Sequence, residues 1–212
     1  MNLSEFFSRY GAEIVQRSWE HLMLVTIACG IAILIGIPLG ILAVRHPSFR
    51  AIAIGTANII QTIPGLALLG FLIPLGIGVR SVIIALVLYA LLPIMQNTYV
   101  GISAIDKSIL EVGEGMGMTK WQLLMQVELP LAMSTILTGV RVAIVICVGV
   151  AAIAGGFGAG GLGQFIFRGL ATVDNSLILA GAVPSALMAL LADLGIGWLE
   201  KNPIAKTSYR QC

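Results

Sequence analysis

The sequence predicts an all-α polytopic membrane protein with about five transmembrane helices. Only 10% of its 212 residues are charged and 58% are hydrophobic, whereas a soluble domain carries roughly 25% charged residues. The charges fall in clusters, which divide the chain into uncharged runs long enough for the roughly 20 residues that cross a bilayer as a helix. One segment breaks the pattern: Asp106 to Pro130 gathers Asp106, Lys107, Glu111, Glu114, Lys120 and Glu128.

Taken in order, residues 1–21 hold Glu5, Arg9, Glu13, Arg17 and Glu20. They lack the apolar stretch of a cleavable signal peptide and are expected to form an extracytoplasmic N-terminal segment. The membrane domain follows over residues 22–200. Its first span is Leu22 to Val44, 23 uncharged residues between His21 and Arg45. The 29 uncharged residues between Arg50 and Arg80 hold the second span and a turn at Pro74-Leu-Gly-Ile-Gly78. The third covers Ser81 to Tyr99. The fourth runs from Pro130 to about Ala154, since proline suits a first helical turn. The fifth covers Asn175 to Leu199, interrupted by Asp193, and residues 201–212 form a tail.

Lysine and arginine near the span ends set the orientation. Arg45, Arg50, Lys107, Lys120, Lys201, Lys206 and Arg210 fall on one side, and Arg9, Arg17, Arg80 and Arg168 on the other. The seven-to-four bias puts the N-terminus outside and the C-terminus and the 101–130 loop inside.

Within that loop, Ser108 to Glu111 and Thr119 to Gln122 both fit a capping box. The spacing predicts two short helices broken at Gly115 and Gly117. Leu110, Met116, Trp121, Leu124 and Met125 are apolar residues in charged surroundings, suited to docking in a partner's groove. An outer loop is expected over 155–175, with a re-entrant or interfacial segment at Leu162 to Leu170.

Polar groups inside spans are costly and mark functional positions by default. Asn58, Gln61, Asn97 and Arg141 are therefore candidates to line a solute path, and Arg141 and Asp193 are candidates for an intramembrane charge pair. Glycines 30, 36, 40, 55, 65, 70, 139 and 149 suit close helix packing.

Several classes are excluded. A net charge of +2 without a basic cluster gives no nucleic-acid footprint. Cys29, Cys147 and Cys212 are isolated, with no disulfide or metal spacing. His21 and His46 lie at opposite ends of one span. Gly158-Ala-Gly-Gly-Leu-Gly163 matches the dinucleotide fingerprint, but it follows an apolar span rather than a strand in a soluble βαβ unit. With no catalytic set and no phosphate loop, the chain is not expected to be an enzyme or to bind a cofactor. The intramembrane polar residues also allow a self-sufficient channel or ion-coupled carrier, which predicts inverted repeats or paired broken helices. No such repeat is evident in the sequence.

The loop resembles the cytoplasmic coupling loop of ABC-importer permeases, whose pattern is Glu-Ala-Ala, three residues, Gly, nine residues, Ile-x-Leu-Pro. Glu111, Gly117, Leu129 and Pro130 match it, Val112, Gly113 and Val127 depart mildly, and Trp121 lies between the anchors. Further stretches are similar to the osmoprotectant permeases for glycine betaine, carnitine or choline. They are Trp19-Glu-His-Leu22, Ile35-Gly-Ile-Pro-Leu-Gly40, Asn58-Ile-Ile-Gln-Thr-Ile-Pro64, Pro93-Ile-Met-Gln-Asn-Thr-Tyr99, Gly160-Gly-Leu-Gly-Gln-Phe-Ile-Phe-Arg-Gly169 and Gly181-Ala-Val-Pro184. The resemblance implies a type I importer permease fold in a bacterial inner membrane. It also implies two ATPase subunits that use ATP and magnesium, a second permease copy or a related permease, and an external substrate-binding protein. Substrate choice would then lie mainly in the binding protein, and the spans carry no aromatic cluster for a quaternary-ammonium cage. Amino-acid importers of the methionine type have similar permeases and are the alternative.

Overall fold

The computed structural model describes residues 3–201, and the side chains of residues 8–200. The tail with Lys206, Arg210 and Cys212 lies outside the described residues, as do the side chains of Glu5 and Lys201. The main elements are α1 (Leu3–Arg45), α2 (Pro47–Thr62), α3 (Gly65–Phe71), α4 (Val79–Ser103), α5 (Lys107–Gly115), α6 (Lys120–Leu123), α7 (Leu129–Ala154), α8 (Gly163–Thr172) and α9 (Asn175–Lys201). All are helical. Four helices are long and apolar enough to cross a membrane, or five if α2 and α3 together make one bent span.

Three boundaries differ from expectation. Residues 3–21 continue α1 without a break, so the first helix starts well before Leu22. No proline or glycine pair stops the helix there. Arg17 instead pairs with Glu13 at 4.0 Å and with Glu20 at 2.8 Å, spacings that support a helix face. The second span is not straight either. Ile63 is extended (φ −72°, ψ 125°) because the following Pro64 disfavours the helical region, and the chain bends by 105° between α2 and α3. The turn after α3 falls where expected, with positive φ at Gly76 and Gly78. Third, α6 does not end before α7. A π-helical turn at Leu124–Glu128 joins them into one apolar run, Lys120–Phe157. Pro130 has no N–H to return to the Gln126 carbonyl, and its ring crowds that carbonyl. The wider turn takes up the mismatch.

α4 is the central helix, packed against α1 and α7. A Cβ at Gly40 would lie 2.8 Å from the Met95 carbonyl oxygen, and one at Gly139 would lie 2.6 Å from that of Pro93. The core between them is built largely of small residues, with Ala28, Ala32, Ala85, Ala90 and Ala143 fully buried, which lets backbones approach closely as membrane packing favours. Gly36 shares this role, whereas Gly30, Gly55, Gly70 and Gly149 face open space and do not.

α4 also carries Pro93, which leaves the Tyr89 carbonyl without its i+4 donor. Gln61 fills the vacancy: its Nε2 donates to Tyr89 O at 2.9 Å. The Tyr89 hydroxyl donates to the Ile63 carbonyl. One tyrosine therefore fastens the bend between α2 and α3 to the middle of α4.

The bundle has two polar ends. At one, Arg17, Glu20 and Arg168 gather around residues 160–168, and Gly78 comes beside Gly158. At the other, Arg45 meets Glu128 and Arg50 meets Tyr99.

Candidate functional site: the two-helix loop and the polar groups of the bundle

The loop between α4 and α7 is built by local rules. Asp106 caps α5, accepting the Ser108 N–H at 3.0 Å, and that bond holds its carboxyl pKa below the ordinary value. The cap is therefore Asp106, not the expected Ser108, because a carboxylate two residues ahead is already placed to accept the orphan N–H. α5 ends in a Schellman motif. The Gly117 N–H donates to Glu114 O at 2.9 Å and the Met118 N–H to Gly113 O at 3.1 Å. Gly117 has φ +83°, and a Cβ there would meet nothing within 4 Å. Glycine serves the left-handed turn here, not close packing.

α6 opens on the expected capping box. Gln122 N–H donates to Thr119 Oγ1 at 3.3 Å, and Thr119 N–H donates back to Gln122 Oε1 at 2.8 Å. Gly113 lets α6 fold onto α5: its added Cβ would sit 2.6 Å from Leu123 Cδ1. The departure from the resembled pattern at this position thus has a steric reason.

Leu123 and Leu124 are buried, so Leu124 is not part of any docking face, and Leu110 is only partly exposed. The exposed apolar residues are Ile109, Val112 and Met116 on α5 and its cap, with Trp121 and Met125 beyond. Ile109, Val112 and Met116 follow i, i+3, i+7 spacing, one face of a helix. Val112 is 61% exposed and Met116 71%. Val112 is among the loop residues named from the sequence as a mild departure from the pattern, and Ile109 is not; the spacing was the available signal. Glu111 is exposed beside this stripe. Leu129 is partly buried at the start of α7 and Pro130 is exposed.

The intramembrane candidates make separate contacts. Gln61 is committed to Tyr89. Asn97 Nδ2 donates to Pro93 O at 2.8 Å on its own helix. Asn58 is exposed on α2. Arg141 and Asp193 are brought together by a fork of two bonds, Nε to Oδ1 at 2.5 Å and Nη2 to Oδ2 at 2.7 Å. Glu200 joins them, 3.6 Å from Arg141 and accepting from Thr138 Oγ1 at 2.8 Å. A cleft of about 350 Å³ between α1, α7 and α9 is lined by apolar groups such as Val25, Ile33, Ile144 and Met188, with Thr26 the hydroxyl among them. Such a lining suits no polar solute.

Two stretches 141 positions apart in sequence meet at the opposite end. Glu20 Oε2 accepts the Gly161 N–H at 3.0 Å and Arg17 Nη1 at 2.8 Å. His21, fully buried, lies 3.2 Å from Val148 O through Nε2. Trp19-Glu-His-Leu22 therefore holds the glycine loop that begins Gly160-Gly-Leu-Gly163.

Comparison with known proteins agrees with this architecture. The chain is 47% identical over 208 residues to the glycine betaine/carnitine/choline transport system permease protein OpuCD of Bacillus subtilis, covering 96% of this chain and 91% of that protein. It is 46% identical over 206 residues to the carnitine transport permease protein OpuCD of Listeria monocytogenes, covering 95% and 92%. It is 43% identical over 182 residues to the osmoprotectant import permease protein OsmW of Salmonella typhimurium, covering 83% and 85%. Among solved structures, an inward-facing form of the MetNI methionine ABC transporter superposes with TM-score 0.80 at 24% identity, covering 89% of this chain and 94% of that one. The fold is thus that of a type I ABC importer permease. Residues 32–203 match the family model described as binding-protein-dependent transport system inner membrane component, and the chain belongs to that family.

Proposed function

We propose that this chain is the membrane subunit of an ATP-driven importer for small osmoprotectants of the glycine betaine, carnitine or choline type. An external binding protein delivers the solute. Two ATPase subunits bind ATP and magnesium, and a second copy or a related permease completes the path. The α5–α6 loop faces the cytoplasm. The exposed stripe Ile109, Val112 and Met116 beside Glu111 carries the reading. It is an apolar helix face on a loop braced by its own caps, which suits a groove on a partner. The names of the relatives support the substrate class. The apolar cleft and the scattered polar groups support the need for a second membrane subunit.

The purified complex in lipid, with loaded binding protein, tests this. Betaine, carnitine and choline are expected to compete for uptake, and methionine is not. Glu111→Ala is expected to leave the chain membrane-inserted and to lower uptake by about tenfold, the size of an ordinary coupling between sites. Competition by methionine alone would overturn the substrate class. Normal uptake and normal stimulation of ATP hydrolysis in Glu111→Ala would overturn the docking assignment.

A further inference from the structure

Glu128 is the loop's misplaced charge. It lies in the π turn between α6 and α7, and it is 1% exposed. Arg45, the last residue of α1, donates to Glu128 Oε2 through Nη2. The other carboxylate oxygen, Oε1, is buried and has no partner among the described residues. Arg45 itself is 42% exposed. Around the pair, Val44, Ile105 and Leu129 pack with Ile102, Ala132 and Ile136 in one apolar cluster.

Stability alone explains this arrangement poorly. Burying a carboxylate carries a large desolvation cost, and a one-sided ion pair does not offset it fully. An apolar residue would serve the cluster better. The π turn is a second irregular feature at the same place: the Leu129 N–H reaches the Leu124 carbonyl, five residues back. Such turns recur at functional sites.

We propose that Glu128 and Arg45 form a joint that passes movement of the α5–α6 loop to α1, Glu128 being a positioning residue for the coupling of ATP hydrolysis to transport. This rests on the importer reading given above. The single bond holds the loop's root to the end of α1. The unused oxygen Oε1 lets the half-exposed guanidinium turn from one bond into a two-bond fork when the loop moves, so the joint has two arrangements. The coupling loop thereby reaches α1 as well as α7, with which it is continuous.

The test uses the assembled complex in lipid vesicles and reads solute imported per ATP hydrolysed. A pair that only holds the fold would lower uptake and hydrolysis together and leave this ratio unchanged. Glu128→Gln keeps the shape and removes the charge. Arg45→Gln changes a half-exposed position and spares assembly should Glu128→Gln fail to fold. In either variant the ratio is expected to fall by about tenfold while the ATPase still co-purifies. The exchange Arg45→Glu with Glu128→Arg is expected to recover part of it. A wild-type ratio in Arg45→Gln, or in an assembled Glu128→Gln, overturns the joint. A wild-type complex that neither hydrolyses ATP nor imports betaine overturns the importer reading instead.

Discussion

Gly117 shows how one residue can matter through its backbone alone. Its open surroundings admit any side chain, but its φ of +83° does not. Alanine there is expected to cost about 1 kcal/mol of local stability, and valine more, while asparagine is nearly neutral. Hydrogen exchange of the α5 amides in the purified complex measures this. Unchanged exchange in Gly117→Val would mean that the loop does not depend on the left-handed turn. The reasoning from sequence named this glycine and the break it makes. What sequence did not show is its geometry: the same glycine could have served close packing, and only the fold separates the two. Glu128 poses the opposite case. It belongs to a segment rich in charge, while the apolar cluster that buries it and its partner Arg45, 83 positions away, come from other helices.

Proline sets the behaviour of whole elements. Pro93 would weaken α4 if Gln61 did not supply the missing donor. Gln61→Leu is expected to destabilise the protein by about 1 kcal/mol, since it leaves the Tyr89 carbonyl unpaired. In a Pro93→Ala background the same change should cost much less, because the introduced alanine brings its own N–H. Thermal unfolding in detergent of the four variants gives the coupling; a purely additive result would refute the compensation. This pairing also explains why Gln61 reads as a path residue from sequence. A polar group in an apolar run signals a function by default, and its backbone partner lies on another helix. The break at Pro64 was open to the same logic as the turn at residues 74–78, but one X-Pro step in a long apolar run does not reveal a 105° bend.

At the scale of the molecule, the apolar runs, the loop and the charge pair Arg141–Asp193 were all legible, because burial in lipid writes itself into composition. The contacts between distant stretches were not, such as Glu20 with Gly161, since each half is ordinary alone. Orientation is testable directly. A cysteine at position 120, in a chain otherwise lacking cysteine, is expected to react with an impermeant thiol reagent only after the cells are opened. Labelling in intact cells would invert the topology. The length of α1 has its own consequence. Its 43 residues make a rod of about 64 Å at ~1.5 Å per residue. A bilayer with headgroups is about 45 Å thick, and even a tilt of about 40° leaves nearly 50 Å of height to place. One end must stand clear of the membrane, and the charges at Glu13, Arg17 and Glu20 select the first turns. Tyr10 packs edge-on against Phe165 at 6.3 Å, and Glu13 holds Arg168 at 3.3 Å. α8 is thus moored to the polar first turns of α1.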